Sequence, residues 1–161
     1  MATTPKVVYQ SASCLIGTLG SFVLVLWRAH MDVEGARQQE QALIRHAKGR
    51  SGVALLPYVP VGVGAPSSEV RAILNATMNK LSPPLVGVAV TTEEAGFHAA
   101  MVRSVALAIS NLSRTKAPSR SFGRVADAAV WLRERMGPQA KDEPTVDEIV
   151  QAMDQLRQLS R

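Results

Sequence analysis

The side chains with which this chain could do covalent or metal chemistry are few: His30, His46 and His98, the single cysteine Cys14, and the adjacent Ser67 and Ser68. Nucleophilic catalysis needs a serine or cysteine held by a histidine that a carboxylate orients. Here His30 follows a strand-like run, His46 lies near the end of a helical run, and His98 opens another. No nucleophile elbow surrounds any serine. Cys14 sits in an apolar run, where burial raises a thiol pKa and makes it inert. One cysteine and no His-x-x-x-His spacing give no metal-ligand set. The expectation is no catalytic residue, no metal and no cofactor.

Two further clusters carry local chemistry. Gly62-Val63-Gly64 lies where a strand gives way to a helix, as in a dinucleotide fingerprint. The third glycine is missing, with Ser67 in its place; Pro66 intrudes, and no acidic residue closes a following strand to hold a ribose. The segment reads as a strand-to-helix loop. Ser67 or Ser68 caps the next helix, or accepts a phosphate, which would put nearly two negative charges at the positive end of the helix dipole. Glu93-Glu94 follow Thr91-Thr92 and read as a capping box rather than a paired acid and base.

The elements that must position these residues follow from apolar patterning. Lys6–Tyr9 and Ser13–Ile16 read as short strands, with Gly17-Thr18-Leu19-Gly20 turning the chain into Ser21–Trp27. That run is continuously apolar, the pattern of a strand covered on both faces. Asp32 caps a helix to about Lys48, with Ala36, Leu43, Ile44 and Ala47 on one stripe. Val53–Val59 and Leu85–Val90 are further buried strands. Between them lies a helix with Val70, Ile73, Leu74, Thr77, Met78 and Leu81 on its apolar face. Phe97, Met101, Val105, Ile109 and Leu112 mark another helix at the same spacing. Ser121-Phe122 is a short strand before a helix over about Val125–Met136. Residues 137–144 read as a polar linker. Thr145-Val146-Asp147-Glu148 is a capping box, opening a last helix with Val146, Ile149, Val150, Met153, Leu156 and Leu159 on one stripe. Strands alternating with amphipathic helices predict a mainly parallel sheet.

The chain has 161 residues, of which 47% are hydrophobic and 19% charged, so a packed core is expected rather than disorder. The formal charge is +5, and residues 98–137 carry seven Lys/Arg against two Asp/Glu. Without interleaved aromatics or a recognised module, that basic region (Arg103, Arg114, Lys116, Arg120, Arg124) reads as a solvated face, not a specific nucleic-acid site. The uncharged stretch Val7–Trp27 is broken by Gln10, Ser11, Ser13, Thr18 and Ser21, so no membrane span is expected. No signal-peptide cleavage pattern follows it, and cytoplasmic localisation is expected.

The order of elements then becomes informative. A starting hairpin, helix–strand repeats, and the closing Ser121-Phe122-Gly123-Arg124 strand followed by Ala126-Asp127-Ala128-Ala129-Val130-Trp131-Leu132 resemble the anti-sigma-factor antagonist (STAS) superfamily, in its SpoIIAA-like branch, over residues 6–136. The resemblance implies a STAS-like α/β fold, a mainly parallel sheet of about four to five strands with helices packed on it. To this the last helix would be appended. The implied organisation is a domain over 1–136, a linker over 137–144 and an accessory amphipathic helix over 145–161.

The resemblance also implies a non-enzymatic protein–protein interaction domain of a bacterial signalling or assembly pathway. Its partner would be a regulator, kinase or scaffold component. Arginine outnumbers lysine 13 to 5, in keeping with a GC-rich bacterial genome. The family's phosphorylated serine falls on Ser67 or Ser68, with Ser68 preferred. Where the family carries Asp-Ser before a glycine, this chain has Ser67-Ser68 before Glu69, which already supplies a negative charge. The binding surface would include Gly62, Gly64, Glu69 and Arg71, with the last helix docking on its own domain or mediating self-association. The alternative is a carrier of a small ligand, a lipid or nucleotide, in an apolar cavity between sheet and helices.

Overall fold

A computed structural model describes residues 4–81, 84–92 and 117–161. Six strands form one sheet in sequential order: β1 (Lys6–Gln10), β2 (Cys14–Leu19), β3 (Phe22–Trp27), β4 (Val53–Tyr58), β5 (Leu85–Thr91) and β6 (Ser119–Phe122). The expected four to five strands become six because both short end segments pair: β1 joins β2 antiparallel, and β6 joins β5 parallel. β2 and β3 are antiparallel, whereas β3, β4, β5 and β6 run parallel, so the sheet is mostly parallel.

Helices cover both faces. α1 (Val33–Ala47) and α2 (Ser68–Lys80) bring Leu43 and Met78 onto Ile16, Val23, Val25, Trp27 and Leu55. α3 (Val125–Met136) and α4 (Val146–Leu159) bring Leu132, Ile149 and Leu156 onto Leu15, Leu24, Leu26 and Leu56 on the other face. Alternate residues of β3 therefore enter opposite cores, which is why its sequence is apolar throughout.

Three local outcomes differ from the sequence pattern. Gly17 lies inside β2 rather than in a turn, and the hairpin closes at Gly20 and Ser21. A Cβ on Gly17 would stand 3.2 Å from Leu156 Cδ2, so its missing side chain admits α4 to the sheet. Residues 137–144 are not an extended tether. Gly137–Asp142 form a 3-10 helix, and the Glu143 carboxylate accepts from Ser21 N–H and Ser21 Oγ at 2.7 Å each. Gln139 Nε2 donates to the Gly52 carbonyl and to Glu143. Pro57 occupies a central strand despite having no N–H to donate. The β4–β5 pairing accommodates it by running from Val53 to Leu55 and resuming at Tyr58.

α4 packs intramolecularly, with Ile149, Ala152, Met153 and Leu156 fully buried. The Thr145–Glu148 capping box is formed in both directions. Among the described residues, no helix is long and apolar enough to cross a membrane.

Candidate functional site at the start of α2

The site is built by the turn that leaves β4. Val63 N–H bonds the Pro60 carbonyl at 3.4 Å, and Gly62 holds φ +89°, the pattern of a type II turn that needs a left-handed third residue. The second turn position falls on Val61, which is 68% exposed, while Val63 is 7% exposed and enters the core. Val63 thus anchors a turn that presents Val61. Gly64 is also left-handed, at φ +80°. A Cβ on Gly62 or Gly64 would meet nothing within 4 Å, so these glycines serve backbone conformation rather than close approach to a phosphate.

Pro66 is buried and fixes the entry to α2. Ser67 is the N-cap, its Oγ accepting from Val70 N–H at 3.2 Å. Ser68 opens the helix, is exposed, and its hydroxyl has no hydrogen-bond partner among the described residues. Glu69 and Arg71 are exposed on the same first turn. The structure therefore places Gly62, Gly64, Ser67, Ser68, Glu69 and Arg71 on one largely exposed tip, the turn after β4 and the first turn of α2. Val61 is the element that sequence reasoning missed, and Pro60-x-Gly62 between apolar residues was its available signal.

The other chemistry-bearing residues do not converge on this tip. Cys14 is fully buried, and desolvation pushes its thiol up to about 11, against weaker lowering by hydrogen bonds from Ser11 and Ser13. His46 Nε2 donates to the Gly20 carbonyl at 2.6 Å, and burial holds its pKa below the ordinary value. His30 is exposed after β3. His98, the Glu93-Glu94 pair and the helix pattern over residues 97–112 lie outside the described residues, as do Arg103, Arg114 and Lys116. Arg120 is exposed, its guanidinium 5.4 Å from the Phe122 ring centroid, and Arg124 precedes α3. Among the described residues, no three His, Cys, Asp or Glu side chains come together to hold a metal.

An apolar cavity of about 80 Å³ lies between the sheet and α1 and α2. Its walls include Trp27, Leu43, Pro57, Leu74, Met78 and Val90, and it reaches Gly64 and Pro66 below the tip. The skipped β4–β5 pairing at Pro57 lies beside it.

No family model, curated protein or solved structure matches the chain.

Proposed function

We propose that this chain is a non-enzymatic protein–protein interaction domain of STAS-like type, acting in the cytoplasm in a bacterial signalling or assembly pathway. Its docking surface is the tip formed by residues 60–71. One observation carries this reading: Val61, the most exposed large apolar side chain among the described residues, is held out by a turn that Val63 pins to the core. An exposed apolar side chain on a hydrogen-bonded turn, followed along the chain by the exposed polar residues Ser68, Glu69 and Arg71, is the composition of a contact point with a polar rim. The family part of this reading rests on the sequence resemblance over residues 6–136; the mostly parallel α/β sheet is compatible with it. Ser68 supplies the control, since its exposed hydroxyl has no partner among the described residues while that of Ser67 is engaged as the cap. A phosphate there would add charge beside Glu69 and change which partner surface fits.

The test is affinity capture from the source cell with wild-type bait and with Val61→Asp bait, both checked for native circular dichroism. A discrete partner retained by wild type and depleted about tenfold by the variant is expected. Phosphate on the peptide containing Ser67 and Ser68 would identify the control. Identical captures with both baits would sink the tip as the docking surface.

The small-ligand reading rests on the apolar cavity. At about 80 Å³ it is smaller than the roughly 150 Å³ apolar cavity that admits benzene. A cavity of this size is too small for a lipid chain, and the interaction reading stands ahead of it.

A further inference from the structure

A second concavity, of about 540 Å³, lies between the β1–β2 edge and the C-terminal half of α1. Lys6 enters it from β1, Arg45 and His46 from the last turn of α1, and Arg50 from the chain beyond that helix. Lys6, Arg45 and Arg50 are exposed, and their side chains make no hydrogen bond or ion pair among the described residues. No Asp or Glu among those residues lines the cleft. The carboxylate that acts on His46, Glu143, is already bonded to Ser21 N–H and Oγ.

Complementing the helix dipole accounts for Arg45 and His46 at the end of α1. It does not account for Lys6, which comes from another element, or Arg50, which lies past the helix. Three unpaired cations converging from separate segments make a positive, concave surface that raises local anion concentration. Tyr9 and Thr18 add hydroxyls, and Val8, Leu19 and Ala42 add apolar wall. The volume falls in the roughly 300–1,000 Å³ range of small-molecule sites.

We infer that this cleft binds a small diphosphate-type polyanion through Lys6, Arg45 and Arg50. Guanidinium groups are suited to grip phosphate oxygens in pairs, and the lysine supplies a point charge opposite them. The Tyr9 side places the phenol and the apolar wall where the body of a phosphorylated molecule would lie. This site is separate from the tip at residues 60–71 and does not depend on its role.

The experiment is calorimetric titration of the full chain with inorganic pyrophosphate and, separately, with a nucleoside diphosphate, in chloride buffer of fixed ionic strength. Saturable one-to-one binding is expected. Arg45→Gln with Arg50→Gln should weaken it at least about tenfold, and Val61→Asp should leave it unchanged. Amide shifts should centre on Thr18, Gly20 and Arg45. Tighter binding of the nucleoside diphosphate would assign the apolar wall to the ligand body; equal binding would mean that the phosphates alone are recognised. Absence of binding at millimolar pyrophosphate, unchanged affinity in the natively folded double variant, or shifts centred on Arg120 and Arg124 would overturn the assignment. So would binding only to duplex DNA with a steep salt dependence.

Discussion

Two glycines and a histidine show how single residues set this structure. Gly62 and Gly64 are left-handed with open space around them, so a methyl group there strains the backbone without clashing. Gly62→Ala is expected to cost about 1 kcal/mol and to loosen the turn that presents Val61, read as a lower urea midpoint at unchanged m-value. An unchanged midpoint would show that the turn does not hold its left-handed residue. His46 is kept neutral by burial, with Nε2–H committed to the Gly20 carbonyl. Because its folded pKa is lowered, the unfolded chain takes up the proton first. The stabilisation is present above the ordinary value of 6.5 and is lost as pH falls through the lower folded value. Urea midpoints measured from about pH 7.5 to about pH 5 should therefore fall more steeply for wild type than for His46→Gln. Parallel slopes would contradict this role. In the sequence His46 is simply a polar residue near a helix end, because the Gly20 carbonyl that fixes it lies 26 positions away.

Elements were legible where the signal is local. Asp32, Ser67 and Thr145 each cap the helix that their spacing announces, since a cap involves only the next three residues. The stripe Ile149, Met153 and Leu156 also marked α4 correctly, but its docking site depends on distant residues. Gly17 in β2 leaves the space that Leu156 fills, and a glycine in an apolar run reads equally well as a turn. The polar residues 137–144 gave a linker pattern because Gln139 and Glu143 find their partners at Gly52 and Ser21, more than 80 positions away. Leu156 is fully buried against the sheet. Leu156→Ala should cost about 2–5 kcal/mol, measured by urea unfolding. A loss below 0.5 kcal/mol, within the ordinary range for surface positions, would mean that α4 does not pack as described. Gly17→Val should act in the same direction from the opposite partner, by pushing Leu156 away.

At the scale of the molecule, the sheet separates two cores, and its parallel strands end near one edge with the β4–α2 turn. The carboxyl ends of parallel strands are where open α/β sheets place their binding surfaces. Here Tyr58, Thr91 and Phe122 close β4, β5 and β6, and Thr91 Oγ1 and Ser121 Oγ are buried without hydrogen-bond partners among the described residues. The tip at residues 60–71 rises from that edge, whereas the cationic cleft lies at the far side of the sheet, beside β1. The general α/β architecture was readable because alternating strands and helices follow from apolar period alone. The tip was readable only as a loop with two serines, since the exposure of Val61 depends on Val63 turning inward. The most direct measurement is photo-crosslinking in the source cell from a benzophenone amino acid placed at Val61, compared with the same probe at Val130, which is 44% exposed on α3. The interaction reading predicts a discrete crosslinked band from position 61 that is absent from position 130. Crosslinks absent from position 61, or equal from both positions, would contradict it.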